Sequence, residues 1–373
     1  MADLTYPLYP IFAFLGVLLA LVPLPWHFKA WNSGTCFYIL WTSLACLNQF
    51  INSVLWHGNT ANRAPVWCDI SIRIMMGASV GIPASSLCIN RRLYYIITSN
   101  SAISSNEKKR RVLMDSLICL LFPLVYIALQ YIVQGHRFDI YEDIGCFPAL
   151  YNTLPLYFLS LSWPLIIGCI SASYCLLTLR AFVRRRLEFA HILAAHPSIT
   201  PWRYFRLMAL AMTDLLFIMP LATFVIWLNA TSSPLQPWIG WDDTHFDYSR
   251  VGQYPAILWR RQPRVLAAME FNRWVVPVCA LVFFAFFGVA EEARKNYILA
   301  FRKLRNFVSR RYTKDPVRSY IPGPSQTFDD RSKLGVPAAP FSGSTNTDQP
   351  QIQTEQPLIF TPYPGAASLS LQS

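Results

Sequence analysis

The chain has 373 residues, 54% of them apolar and only 14% charged, with a mean hydropathy of +0.31 and a formal net charge of +12. Soluble domains carry about 25% charged residues, so the composition excludes an ordinary water-soluble globular protein. The basic runs flank apolar stretches, which excludes nucleic acid as a partner and makes anionic lipid their simplest counterpart.

A bilayer core about 30 Å thick demands roughly 20 apolar residues per helix. Seven stretches meet that demand, at 6–26, 35–56, 67–90, 113–133, 153–179, 204–229 and 267–289. They predict an all-α membrane protein, a seven-transmembrane helix bundle over residues 1–289. Loops rich in Lys and Arg stay cytosolic. Of the 32 basic residues, 24 fall on one side of this pattern and six on the other, which places the N-terminus outside. "MADLTYP" has neither a basic n-region nor a small-residue cleavage site, so the first span is expected to be a retained anchor.

Along the chain, the second span carries Asn48, Gln49 and Asn52 as a polar face, and the third opens on Cys68 and Asp69 with Arg73 four residues on. Acid before base at this spacing favours a helical pair. Glu270 and Arg273 repeat the arrangement at three apart in the seventh span. Ionisable groups inside spans are costly and usually functional, so these pairs either brace the helices or line a polar ligand vestibule. The outer loop 134–152 supplies Asp143 to the same mouth. Cys68 and Cys146 are the two cysteines on the oxidising side. They are expected to be either a disulfide pinning that loop across the mouth or two free thiols. Loop 230–266, rich in Trp, Asp, Tyr and Pro, reads as an ordered cap. Asn229-Ala-Thr231 matches a glycosylation acceptor but abuts the sixth span.

On the inner side lie the basic loops 91–111 and 180–206. Within them Arg91, Arg92, Arg184, Arg185 and Arg186 either contact a cytosolic partner or only orient the helices. Asp214 lies less than two turns before Pro220 in the sixth span. A proline there removes a backbone hydrogen bond and kinks the helix. The acid reads as part of a switch or as a local hydrogen-bonding group, for which the polar face of the second span could be the partner. Residues 290–311 alternate basic and apolar positions at helical spacing, as an amphipathic helix on the inner leaflet does. From 312 to 373 the composition is that of a disordered cytosolic tail.

Catalytic signatures for zinc proteolysis, phosphate loops, nucleophile elbows and dinucleotide binding do not occur in the sequence. No metal site or cofactor is expected. All seven lysines fall outside the spans, which excludes a retinal Schiff base.

Five stretches carry a resemblance: "LPWHFKAWNSGT", "VWCDI", "CINRRLY", "YIVQGHRFDIYEDIGC" and "FFAFFGVAEEARKNY". Over residues 1–310 the chain resembles the fungal mating-pheromone receptors of the a-factor type, a class D branch of the G-protein-coupled receptors, especially those of mushroom-forming fungi. The resemblance implies a multi-pass plasma-membrane receptor that binds a farnesylated peptide pheromone outside and a heterotrimeric G protein inside. Whether it forms a homo-oligomer is left open. The rival class is a seven-helix membrane transporter, against which stand the absence of matching interrupted spans in the two halves and the near absence of midplane charge.

Overall fold

Prolines mark the helix starts. Pro65, Pro201 and Pro263 each open a long helix, at positions where the missing N–H would have had no partner in any case. The computed structural model describes residues 3, 5–98, 104–185, 201–232, 234–288, 302, 305 and 306. In chain order, α1 (Leu8–Leu21) and α2 (Leu24–Lys29) form a first rod, α3 (Ser33–Leu55) a second, and α4 (Pro65–Thr98) a third. The fourth is α5 (Ser105–Ser116) and α6 (Phe122–Gln130), joined by π-helical turns at Leu117–Leu121 and followed by a 3₁₀ turn, Tyr131–Val133. The fifth runs from α7 (Leu154–Leu156) through another π-helical stretch, Tyr157–Leu161, into α8 (Ser162–Arg185). Next come α9 (Pro201–Ser232), the short α10 (Trp241–Thr244) and α11 (Ala256–Trp259), and finally α12 (Pro263–Phe287).

The surface is inverted relative to a soluble protein. Leu8, Ile11, Phe14 and Leu18 on α1, Leu120, Leu121 and Leu124 along the fourth rod, and Ile166 and Ile170 on α8 are exposed, whereas Asn48, Asn52, Ser71, Ser85, Asn90 and Asp115 are buried. Large apolar surfaces of this kind need a non-aqueous solvent. Among the described residues, five helices are long and apolar enough to cross a membrane: Leu8–Lys29, Pro65–Thr98, Ser105–Val133, Leu154–Arg184 and Pro263–Phe287. Helix α3 is long but carries the polar positions Thr42, Ser43, Asn48, Gln49 and Asn52, and in α9 the qualifying apolar stretch is shorter, Met219–Thr231. The third rod extends eight residues beyond the boundary at 90 expected from hydropathy, because "RRLYYIIT" continues the helix past the apolar run. Of the expected amphipathic helix 290–311, only Arg302, Arg305 and Asn306 are described, all helical. The tail 312–373 lies outside the described residues.

The bundle's centre is an apolar cluster of Tyr38, Ile39, Trp41, Ala78, Ile82, Ile89, Leu93 and Phe283. Trp41 lies flat against α4 at Gly77 and Gly81. A β-carbon there would come within 2.7 and 2.5 Å of its indole, so only glycine permits this approach of α3 to α4. Its Nε1 donates to the carbonyl of Cys119, inside the π-helical turn, at 2.8 Å.

One end of the bundle is roofed by a three-stranded sheet with strand order β2-β1-β3. Strands β1 (Phe138–Tyr141) and β2 (Gly145–Phe147) form an antiparallel hairpin. Strand β3 (Val251–Tyr254), which arrives from the loop between α9 and α12, pairs with β1 in parallel. The hairpin turns on Asp143 and Gly145, both with positive φ. Gly145 also lies so close to α3 that a β-carbon would be 2.6 Å from Cβ of Asn52.

Candidate functional site

The roof is fixed to the bundle covalently and by burial. Cys68 at the head of α4 is bonded to Cys146 of β2, with Cα atoms 5.2 Å apart. Around this bond Trp56, Ile72, Phe138 and Ile140 form a small apolar core of their own. Beneath it, Asn52 donates to Ser71 Oγ (2.9 Å) and accepts from Trp67 Nε1 (2.8 Å), while Asn48 donates to the carbonyl of Ser71. The polar face of α3 therefore joins α3 to α4; the expected partnership with Asp214 involves a side chain outside the described set.

Two groups of charges flank the roof. The first is buried and draws five segments together. Arg273 on α12 contacts Asp3 at 2.8 Å and Glu270 at 3.5 Å, and its guanidinium lies 3.9 Å above the Tyr9 ring. Arg260, just after α11, contacts Asp143 at 3.0 Å and Asp3 at 3.8 Å. The Asp143 carboxylate also lies 3.2 Å from His57 and accepts from the backbone N–H of Gly58 at 3.0 Å. Burial alone would raise the Asp3 carboxyl, but hydrogen bonds from Thr5 and Arg273 outweigh it and hold the group below its ordinary value.

The second group is open at its Asp69–Arg137 pair and largely buried at His136 and Asp139. Asp69 binds Arg137 of the hairpin with both oxygens, at 3.0 and 2.6 Å, and the two side chains are 42% and 35% exposed. The Asp69 carboxylate stabilises the charged Arg137 guanidinium and raises its pKa further. His136 contacts Asp139 at 2.7 Å, and Arg250 reaches the other ring nitrogen of His136 at 3.2 Å. Tyr254 is raised first by the negative charge of Asp139 and then by burial. Beside these lie Tyr131, Trp241, His245 and Tyr248, with Trp241 and His245 stacked at 4.1 Å.

Three expectations change accordingly. Asp69 and Arg73 do not pair with each other: Arg137 reaches in from the hairpin with a planar fork that takes both carboxylate oxygens, a geometry the i,i+4 helical spacing does not match. Asp143 does not face outward; at 2% exposure it holds the hairpin turn to Arg260, His57 and Gly58. Arg273 does lie near Glu270, yet its closer partner is Asp3 and it is 4% exposed. Asp3 and Arg260 were missed: one is a lone acid in the first residues, the other one of several loop arginines, and neither has a local pattern.

At the opposite end, Arg91 contacts Asp115 of α5 at 2.7 Å, and Ser33 donates to the other Asp115 oxygen. Arg92 donates to the carbonyls of Trp31 and Ala30. These arginines thus brace the start of α3 and the α4–α5 junction as well as facing solvent in part. Asp115 also escaped notice, although a single acid between Leu113, Met114 and Leu117 beside a basic run is a readable signal. Arg184 is exposed at the end of α8. Arg185 is helical, with a side chain outside the described set, and Arg186 lies wholly outside the described residues. Asp214 occupies a helical position in α9, its side chain likewise undescribed. Pro220 lines an apolar recess of about 680 Å³ with Leu216, Met219, Thr223, Phe224 and Trp227. No group of three or more metal-ligating side chains occurs among the described residues.

Comparison with known proteins places this arrangement. The model of the Pheromone A receptor family matches residues 8–305. The Pheromone B alpha 3 receptor of Schizophyllum commune is 52% identical over 89% of the chain and 54% of its own length. Pheromone receptor 1 of Mycosarcoma maydis is 33% identical over 84% of the chain and 87% of its own length. The Pheromone a factor receptor of Saccharomyces cerevisiae is 23% identical over 78% of the chain and 61% of its own length. The chain spans about half the length of the Schizophyllum receptors it matches. A match over most of the chain, with this identity to named receptors and an apolar helical bundle, has one meaning: the chain belongs to the Pheromone A receptor family, a family of signalling receptors and not of enzymes.

Proposed function

We propose that the protein is a G-protein-coupled receptor of the plasma membrane that detects a farnesylated peptide mating pheromone. In this reading residues 1–289 cross the bilayer seven times, with the sheet-bearing end outside and the basic loops in the cytosol. The excess of Lys and Arg on the far side of the bundle supports that orientation. The single observation that carries the function is family membership across residues 8–305. The sheet adds to it, because it ties two loops from distant parts of the chain into one roof over a polar mouth.

The peptide portion would meet that mouth, where Asp69 and Glu270 are the accessible acids, while Asp143 and Arg273 act from behind as supports. The prenyl chain offers only apolar area, worth about 25 cal/mol per Å², which any apolar wall or the lipid itself can match. Peptide discrimination therefore rests on polar groups left unpaired by a wrong partner. A bound pheromone shifts the receptor toward its signalling state only by its preference for that state. The moving elements would be the inner ends of α8 and α9, with Asp214 and Pro220 as the switch and Arg91, Arg92 and Arg184 to Arg186 as G-protein contacts.

The test is a panel of synthetic farnesylated peptides applied to cells carrying the receptor and a G-protein reporter. One peptide is expected to activate at low concentration, with no response in cells lacking the receptor. Substrate flux without a G protein would instead indicate a transporter.

A further inference from the structure

Among the described residues, Arg73 is a cation of the mouth with no acid paired to it. It lies on α4 one turn below Asp69, half-buried, yet Asp69 gives both oxygens to Arg137. The thioether of Met76 lies 3.9 Å from Nη1 of Arg73, and the phenol of Tyr248 is close enough for the guanidinium to favour its charged form. Among the described residues no carboxylate lies within ion-pair distance of it. A guanidinium presents five N–H donors in a planar fork that fits a carboxylate, and a sulfur and a phenol fill little of that capacity.

The surroundings say from which side a partner would come. Met76 is buried against Val80, Tyr126 and Ile167, so the side chain is backed by α4, α6 and α8. Tyr248 belongs to the loop carrying β3 and stacks edge-on against Tyr131 at the end of the fourth rod. Arg73 is thus enclosed by protein below and by the roof's aromatic cluster beside it. A ligand entering at the roofed end would meet it beside Tyr248. Every other arginine placed in or behind this mouth has an acid or an imidazole: Arg137 has Asp69, Arg250 has His136, Arg260 has Asp143 and Arg273 has Asp3.

We propose that Arg73 is a specificity-determining residue that receives a carboxylate of the pheromone's peptide portion, an Asp or Glu side chain or a free carboxyl end. This rests on the receptor reading above. A charge-assisted bidentate contact in a half-buried site contributes enough that its loss should cost roughly 10- to 100-fold in potency.

The experiment uses the full-length receptor in reporter cells and the panel peptide that activates the wild type. Surface labelling first establishes that Arg73→Gln and Arg73→Glu reach the membrane; Arg73→Gln serves if the reversal does not fold. The expected result has three parts. The activating peptide contains an acid. Both substitutions lower its potency by the stated factor. A peptide with that acid replaced by Lys is inactive on the wild type but regains potency on Arg73→Glu. The proposal is overturned if the activating peptide has no acid, if its potency is unchanged by the substitutions, or if acid and Lys peptides lose potency equally, as a structural or lipid-binding role for Arg73 would give. Silence of the wild type toward the whole panel would remove the receptor reading together with the inference, whereas a responsive wild type with indifferent Arg73 variants removes the inference alone.

Discussion

Two acids of the mouth should behave oppositely on truncation to Ala. Asp143 and Arg260 have side chains 2% and 12% exposed and lie 3.0 Å apart, and the same carboxylate accepts from Gly58 N–H and adjoins His57. Asp143→Ala removes the nearer of the two carboxylates beside the Arg260 guanidinium, leaving Asp3 at 3.8 Å, and strips the acceptor from Gly58. Removing one partner of a buried pair costs about 3–5 kcal/mol; because Asp3 still compensates in part, we expect about 3 kcal/mol. Asp69 and Arg137 are far more exposed, and pairs of that kind contribute about 0–1 kcal/mol. Asp69→Ala should therefore scarcely change stability. The assay is equilibrium unfolding of purified receptor in mixed micelles, with retention at the cell surface as a second readout. An Asp143→Ala protein within about 0.5 kcal/mol of wild type, or an Asp69→Ala protein as unstable as Asp143→Ala, would refute the division into supporting and accessible acids.

Four further outcomes are expected. Mass spectrometry of a non-reduced digest should recover Cys68 and Cys146 in one linked peptide pair, and free thiols at both positions in folded receptor would contradict the structure. Gly81→Val should destabilise the bundle by roughly 1–3 kcal/mol, as overpacking does, and Gly81→Val combined with Trp41→Leu should recover part of that loss in the same unfolding assay. Replacing Arg184, Arg185 and Arg186 together with Ala should weaken G-protein activation while leaving binding of the activating lipopeptide largely intact, as read by the reporter and by labelled-peptide binding in receptor of normal surface level. Asp3 is held below its ordinary value of 3.8, so its contribution to stability is present above that value and is lost as pH falls through the lower folded-state value. An Asp3→Asn protein should accordingly show a flatter decline in thermal stability below about pH 4, and an identical profile would argue against the Asp3–Arg273 contact.

The long helices were legible because their signal is local: twenty apolar residues declare a buried or lipid-facing helix wherever the rest of the chain goes. The roof was not. Strand β1 pairs with β3 across more than a hundred residues, and neither "FDIY" nor "VGQY" has the length or alternation that marks a strand by itself. The pairing of Asp69 was misread for a related reason. Helical spacing made Arg73 a sound partner, but helix geometry cannot show that Arg137, distant in sequence, would be folded over the same carboxylate. Shared position outside the bilayer was enough to suggest Cys68 with Cys146, since that argument needs only topology. The buried network of Asp3, Arg260 and Asp143 joins residues with no local pattern, so only the folded chain reveals it.

The most direct measurement is a specificity exchange between this receptor and a relative that responds to a different lipopeptide. Because β1 and β3 share one sheet, the exchanged unit must carry 134–152 and 230–266 together; moving the hairpin alone would break the parallel pairing. With Asp69, Arg73 and Glu270 exchanged alongside, the chimera should respond to the donor's peptide and lose response to its own, while removal of the farnesyl group lowers potency for every peptide alike. If peptide choice instead followed the inner loops or the segment beyond 290, the roofed mouth would not be where the pheromone is recognised.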